Sequence, residues 1–212
     1  MSTHDEAVIA EIDSVRFEEA LALAVRLHHG QVRKGSEVPY ISHPLAVAAI
    51  ALEYGASEDE AIAAVLHDTI EDCGGSAARE EIRGRFGDRV TEIVDGCTDS
   101  DVTPKPPWRK RKDAYIAHIP TASHSVRLVS MADKLHNSQS ILRDHRRLGE
   151  AVWERFRGGR DGTLWYYRAL VQAFRSAGAH PLLDELDRTV TQLECEARPG
   201  AATPPGANAE AR

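Results

Sequence analysis

The stretch AIAAVLHDTIEDCGG, residues 61–75, begins as an apolar helix and ends in a cluster of ionisable side chains. His67, Asp68, Glu71 and Asp72 follow the apolar run within six positions. At about 100° per residue, these four side chains fall on one side of a continuous helix. Three acids there are unfavourable, because a helix C-terminus has partial negative charge and carboxylates repel one another. A divalent cation would remove that conflict, and imidazole with carboxylate suits manganese, iron or zinc.

Two further residues in apolar helical contexts are candidate ligands for the same ion. His43 opens a helix in ISHPLA, and Asp133 has apolar neighbours in SMADKLHN. Together with His67 and Asp68 they would supply two nitrogens and two oxygens, leaving positions open for water, as in catalytic sites. Taken singly, His43 is more often a cap or surface residue and Asp133 can pair with Lys134. The combination, each member beside an apolar helix, is what favours a metal site.

The hydrophobic spacing predicts an all-α protein with one domain over residues 1–196. Ser57 and Glu60 form the pattern of a capping box, and no segment has a sustained alternating strand pattern. The tail 197–212 is rich in Ala, Pro and Gly, which predicts disorder. We predict helices over 14–29, 44–54, 57–72, 77–86, 89–97, 108–118, 125–142, 147–157, 163–176 and 181–195, and loops over 30–42 and 99–108.

Charge and cysteine content restrict the classes of partner and compartment. The 212-residue chain has a net charge of −7, which argues against nonspecific binding to nucleic acid. Its longest apolar run, residues 46–52, is far shorter than a membrane span of about 20 residues, and the N-terminus does not resemble a secretory signal. Three cysteines without CxxC spacing are typical of a reducing compartment, so we expect a cytoplasmic protein.

Four motifs give the chain a likeness to a known family. They are HHGQVRKGSEVPYISHP (28–44), HDTIED (67–72), FGDRVTEIVDGCT (86–98) and MADKLHN (131–137). With these, the sequence resembles the HD-domain metal phosphohydrolases and, more narrowly, the hydrolase half of the Rel/SpoT alarmone enzymes over residues 17–175. The resemblance implies an all-helical bundle with one Mn(II) per chain, Fe or Zn being possible. It also implies removal of the 3′-diphosphate of ppGpp or pppGpp, giving GDP or GTP and pyrophosphate.

The resemblance also assigns roles to individual residues. It implies that the metal ligands are His43, His67, Asp68 and Asp133, the set already reached from the residues themselves. Glu71 and Asp72 match the catalytic acidic pair, whose division of labour stays open. It implies a group of substrate-binding residues, namely Arg33, Lys34, Asn137 and Tyr166. The eight other histidines, His136 among them, lack such a context and are interpreted as structural or exposed.

Cys73 stands where the family often has Thr, a departure from which we expect little consequence.

Three functional hypotheses stay open on the sequence. The chain lacks the synthetase and regulatory domains of long Rel/SpoT proteins, which predicts a stand-alone small alarmone hydrolase. Arg33, Lys34 and Asn137 do not discriminate guanine from adenine, so the adenosine alarmone analogue or NADPH is an alternative substrate. A nucleotide-binding module without catalysis is disfavoured, because the ligand set and the acidic pair are both intact.

Overall fold

The chain forms a bundle of nine α-helices and two 3-10 helices within residues 14–102 and 104–198, which the computed structural model describes. The α-helices are α1 (Ser14–Leu27), α2 (Ser42–Glu53), α3 (Glu58–Leu66), α4 (Thr69–Cys73), α5 (Ser76–Cys97), α6 (Trp108–His118), α7 (His124–Leu148), α8 (Gly159–Ser176) and α9 (Pro181–Glu196). The 3-10 helices are Ile119–Thr121 and Gly149–Arg155. The predicted all-α class is confirmed. The predicted disordered tail lies, apart from Ala197 and Arg198, outside the described residues.

The predicted helix over 57–72 is wrong as a continuous element, because it bends between α3 and α4. Asp68 has φ −96° and ψ −4°, and a new helix begins at Thr69. At the bend, two backbone carbonyls form hydrogen bonds with side chains instead of with the helix backbone. The His67 ring nitrogen Nδ1 lies 2.8 Å from the Ala64 carbonyl, and the Thr69 hydroxyl donates to the Leu66 carbonyl at 2.6 Å. Such local side-chain bonds compete with the helical ladder.

Two other boundaries differ from the sequence prediction. The helices predicted on either side of Gly87 form one element, α5, with a kink at that glycine, whose φ of 87° lies in a region that other residues rarely adopt. Helix α7 continues to Leu148, so the predicted helix over 147–157 is reduced to the 3-10 helix Gly149–Arg155. The long α7 therefore runs past the end that the apolar pattern indicated.

Helix α3 is the centre of the core. Every residue from Ala61 to Leu66 has 0% exposure, and the helix packs against α1, α2, α5 and α7. Helix α7 also contacts α2, α5, α8 and α9. Small side chains at Ala61, Ala63 and Ala64 allow neighbouring helices to approach closely. The last turn of α3 and the middle of α7 are thereby fixed side by side in the interior.

The loop between α1 and α2 is ordered by a short antiparallel bridge. Val32 pairs with Pro39, the Arg33 N–H donates to the Val38 carbonyl at 2.8 Å, and the Tyr40 N–H donates to the Gln31 carbonyl at 2.9 Å. This bridge holds the basic pair Arg33 and Lys34 in a compact turn. No helix in the described part of the chain is long and apolar enough to cross a bilayer.

Candidate metal centre and active site

Three buried side chains from three helices converge on one point. His43 comes from the first turn of α2, His67 directly follows α3, and Asp133 lies in the middle of α7. Asp133 Oδ1 is 3.1 Å from His43 Nε2 and 3.7 Å from His67 Nε2. One ligand atom from each residue lies within 4.8 Å of the others, and the exposures are 1%, 2% and 6%.

Asp68, the fourth predicted ligand, lies at the open side of the same cluster. Its Oδ2 is 3.0 Å from His67 Nε2 and 3.5 Å from His43 Nε2. The bend between α3 and α4 sets this position, because Asp68 is the residue at the bend. The Tyr40 hydroxyl donates to the same oxygen at 2.5 Å. The structure thus brings all four predicted ligands together.

The donor set of the cluster fits a metal ion. His67 Nδ1 is committed to the Ala64 carbonyl, an arrangement that puts its proton on Nδ1 and leaves a lone pair on Nε2. That Nε2 is buried and has no hydrogen-bond partner among the described residues. Its close neighbours are carboxylate oxygens, a setting that favours a proton or a metal ion on this nitrogen. Ligand atoms about 2.1 Å from one ion are about 3.0–3.4 Å apart, close to the distances seen here.

The electrostatics of the cluster favour positive charge. Burial alone would lower the pKa of the His67 imidazole, but Asp68 and Asp133 outweigh it and raise that pKa well above its ordinary value. Burial likewise opposes ionisation of Asp133, but Lys134 and the two imidazoles hold its pKa well below the usual range. The carboxylates are therefore ionised at neutral pH, as ligands for a cation must be.

One cavity of about 860 Å³ joins this cluster to the predicted catalytic and binding residues. Glu71 and Asp72, on α4, line it beside Asp68. Lys105 Nζ lies 2.8 Å from Glu71 Oε1, and the Asp99 N–H donates to Glu71 Oε2 at 3.3 Å. Asp72 has no cation within ion-pair distance among the described residues. Burial, with Asp68 and Glu71 nearby, raises the pKa of Asp72 to about 6.

The comparison with known families agrees with this geometry. The HD-domain family model matches residues 20–164, a span that contains all four clustered residues. The chain belongs to the HD-domain family. It is 40% identical over 144 residues to "Guanosine-3′,5′-bis(diphosphate) 3′-pyrophosphohydrolase MESH1" of Xenopus tropicalis, covering 66% of this chain and 75% of that protein. The human protein of the same name is 35% identical over 148 residues, 68% of this chain and 78% of its own length.

A solved HD-domain relative has the same fold. It is a metazoan ortholog of SpoT that hydrolyzes ppGpp and plays a role in starvation responses. It superposes with a TM-score of 0.72 at 29% identity, over 86% of this chain and 98% of that one. The predicted HD-domain bundle and the predicted relationship to SpoT-type proteins are confirmed.

The predicted binding residues of this HD domain all line the cavity. The Arg33 guanidinium donates to Asn137 Oδ1 at 2.7 Å, and Asn137 Nδ2 donates to Asp133 Oδ1 at 2.5 Å. Lys34 lines the same cavity. Tyr166 is both a core residue, 6% exposed, and a lining residue. Its hydroxyl has no partner among the described residues, and burial raises its pKa to about 12.

Sequence reasoning missed two residues that touch the HD-domain ligand cluster, His136 and Tyr40, and named a third, Lys134, only as a pairing partner of Asp133. His136 Nδ1 lies 2.7 Å from His43 Nδ1, so it was wrongly grouped with histidines lacking a site context. The half-buried Lys134 donates to Asp133 Oδ2 at 2.5 Å, and the Tyr40 hydroxyl donates to Asp68. Spacing offered a weak signal: Tyr40 is three residues before His43, and His136 is three residues after Asp133, one helical turn away.

His136 fixes the orientation of His43. The ring planes are 23° apart and the centroids 4.9 Å apart, a separation that matches the 2.7 Å Nδ1–Nδ1 distance plus the two ring radii. The rings therefore meet edge to edge, as an N–H···N hydrogen bond requires. If His43 Nε2 is a ligand, its proton is on Nδ1 and His136 accepts it.

Proposed function

We propose that the protein is a metal-dependent (p)ppGpp 3′-pyrophosphohydrolase. Water would attack the phosphorus bonded to the ribose 3′ oxygen, the phosphorus–oxygen bond would break, and the 3′ oxygen would take a proton. The products are pyrophosphate and GDP or GTP. The supporting observation is the cluster of two imidazoles and two carboxylates, whose ring nitrogens lie 3.0–3.7 Å from the carboxylate oxygens. The MESH1 relatives carry that activity in their names, and the solved SpoT ortholog hydrolyzes ppGpp.

The residues that would hold the ion are His43, His67, Asp68 and Asp133, with one Mn(II) per chain as the proposed occupant. Two nitrogens and two oxygens suit manganese, and iron or zinc would also fit this donor set. When bound, such an ion supplies Lewis-acid polarisation of a phosphate oxygen and lowers the pKa of a water molecule. Lys134 and Asn137 orient Asp133 from opposite oxygens, which keeps the carboxylate aimed between the imidazoles.

The two acids of α4 have different surroundings, and this supports different roles. Glu71 forms an ion pair with Lys105 and accepts a hydrogen bond from the Asp99 N–H. Its carboxylate is therefore fixed in place and suited to position a water molecule or the substrate. Asp72 is free of such a cation among the described residues, and its pKa of about 6 is near the working range of a proton-transfer group. We assign proton transfer to Asp72 and positioning to Glu71.

Four residues are proposed to bind the nucleotide. Arg33 can stack on a purine or contact phosphate through its planar guanidinium, and Lys34 supplies a compact positive charge. Asn137 lies one turn after Asp133 on α7, within reach of a ribose or phosphate oxygen. Tyr166 contributes an aromatic wall with Lys112 Nζ 4.8 Å from its ring centroid. We expect no nucleic-acid partner and a cytoplasmic location, which the three free cysteines support.

The proposal is tested by incubating purified protein with Mn(II) and ppGpp and identifying the products. We expect equimolar GDP and pyrophosphate. The adenosine alarmone analogue and NADPH are assayed in parallel, because the binding residues do not discriminate the base. Phosphate released from the 5′ chain alone, or no product at all, would contradict the proposal. The matched control is His118→Gln, which changes an exposed histidine outside the cavity lining and should retain full activity.

A further inference from the structure

The cavity has a second end, which is strongly cationic and which the proposed chemistry does not use. Five basic residues and one carboxylate, that of Asp144, line this end of the cavity. We name this group the arginine cluster. Its basic members are Lys34, Arg143, Arg147, Arg155 and Arg157.

Helix α7 sets the distance between the two ends. Asp133 and Asp144 both lie on α7 and both line the cavity. They are eleven residues apart, which corresponds to about 16 Å along the axis and about 20° around it. The two carboxylates therefore lie on one face of the same rigid helix. A ligand held at the metal-ligand cluster would extend along this face toward the arginine cluster.

Asp144 organises the arginine cluster. Arg155 Nη1 donates to Asp144 Oδ2 at 2.7 Å, and Arg147 Nη2 lies 3.4 Å from Asp144 Oδ1. The Arg155 side chain is only 17% exposed, whereas that of Arg147 is 64% exposed. One carboxylate thus fixes two guanidinium groups and leaves a surplus of positive charge. Lys34, Arg143 and Arg157 have no carboxylate within ion-pair distance in the described part of the chain.

The loop that carries the basic pair is packed onto Arg155. Gly35 follows Lys34 with φ 72°, and a Cβ added there would overlap the Arg155 side chain. Lys34 Nζ lies 5.8 Å from the ring centroid of Phe156, the residue after Arg155. The loop from α1 and the segment after α7 are therefore in direct contact. This packing places Lys34, whose side chain stays exposed, beside the arginine cluster.

We propose that the arginine cluster binds the 5′ phosphate chain of the nucleotide while the 3′-diphosphate lies at the metal-ligand cluster. The inference rests on the proposed function. Guanidinium forks bind phosphate bidentately, and a surplus of arginines suits two or three phosphates better than one. A ribose projects its 3′ and 5′ substituents in different directions, so a nucleotide with phosphates on both matches a cavity with an ion site at one end and arginines at the other. The cluster would make the enzyme prefer substrates with a longer 5′ chain.

The test combines a substrate series with variants of the cluster. The substrates are guanosine 3′-diphosphates with a 5′-triphosphate, 5′-diphosphate, 5′-monophosphate or 5′-hydroxyl, assayed with Mn(II). For wild-type protein we expect KM to rise as the 5′ chain shortens. Arg155→Gln should raise KM about tenfold for the 5′-diphosphate, the scale of one or two charge-assisted hydrogen bonds, and leave KM for the 5′-hydroxyl within about twofold. The kcat values should change little, because the ion site is unaltered.

Two further variants keep the result interpretable. Arg147→Gln removes a mostly exposed side chain, so it should shift KM in the same direction without disturbing the Gly35 contact. Arg146→Gln is the matched control, because Arg146 is adjacent on α7 but pairs with Glu196 of α9. It should leave the substrate dependence unchanged.

The possible failures are distinguishable. If Arg155→Gln and Arg147→Gln alter KM equally for every substrate in the series, or not at all, the arginine cluster does not bind the 5′ chain, although the proposed function stands. If the wild-type protein releases no pyrophosphate from any member of the series, the proposed function itself is wrong, and the inference falls with it.

Discussion

The two ends of the cavity are built differently, although both are assembled on helix α7. At the metal-ligand cluster, His43, His67 and Asp133 are nearly inaccessible and each is fixed by a second hydrogen bond. At the arginine cluster, long side chains extend from a helix end and a 3-10 helix and are partly exposed. Groups that take part in bond breaking require the first kind of support, because small displacements cost much rate. Groups that recognise phosphate tolerate the second kind.

This difference predicts that changes at the first end act on kcat and metal content, and changes at the second end act on KM. The largest effect is expected from Asp133→Asn, which keeps the side-chain shape but removes the charge between the two imidazoles. Activity should fall at least about a thousandfold, since a catalytic ion contributes several kcal/mol. Metal analysis after dialysis should show less ion per chain.

The control for this variant is Asp113→Asn, at an exposed residue paired with Arg109. It should keep both metal and activity. Full metal content in Asp133→Asn would remove that residue from the proposed ligand set and would weaken the contrast between the two ends.

The next effect concerns proton transfer. Asp72→Asn should lower kcat by about 10²- to 10⁴-fold, the usual contribution of a general acid or base, and should retain the metal. Glu71→Gln is its partner, because it tests the positioning role assigned to the other acid. An Asp72→Asn variant with normal kcat would contradict the assignment.

The pH dependence of the wild-type protein follows from the same residue. The pKa of Asp72 is raised to about 6, so the carboxylate is protonated below that pH and cannot accept a proton. A bound cation would stabilise the carboxylate and lower this value. The acid limb of the kcat profile should therefore lie at or below about pH 6, and it should be absent in whatever activity Asp72→Asn retains. An acid limb unchanged in the variant would belong to another group.

A smaller effect is expected one contact away from the ligands. His136→Leu removes the acceptor for His43 Nδ1–H, and such losses typically weaken metal affinity by about 10- to 100-fold. His136→Asn is the matched variant, because its side-chain oxygen can take the place of Nδ1. Titration of the metal-free protein with Mn(II) measures both. Equal affinity in His136→Leu and wild type would show that His43 needs no such support.

The sequence was sufficient for the fold class and for choosing four side chains that the structure brings together, and the reason is local. Apolar spacing and the Ser57 capping pattern are properties of neighbouring residues, and the motifs around His43, His67 and Asp133 are short. The bend at Asp68 was not predictable from periodicity, because it depends on His67 and Thr69 bonding to the helix carbonyls.

The contacts that support the site could not be predicted from the sequence, for a different reason. Lys105 reaches Glu71 across 34 residues, and His136 reaches His43 across 93. Such pairs depend on how α2, α4, α7 and the loop between α5 and α6 pack together, which no local pattern records. The arginine cluster is a similar case, since Lys34 and Arg155 are brought together by the close approach at Gly35.

The smallest predicted effect tests whether the metal-ligand cluster depends on the overall stability of helix α3. The Ser57 N–H and hydroxyl donate to the Glu60 carboxylate at 2.7 and 2.8 Å, ten residues before His67 on the same helix. Ser57→Ala should cost about 1 kcal/mol of unfolding free energy, or roughly 2–4 °C in Tm. Because α3 is buried from Glu60 to Leu66, the lost bond should not move His67, so kcat and metal affinity should equal those of wild type. Ser176→Ala, at the last turn of α8, is the control and should change stability by less than about 0.5 kcal/mol. A Ser57→Ala protein that kept its Tm but lost metal would show that the cap positions the ligand cluster directly, and that the buried end is less independent of its surroundings than its packing indicates.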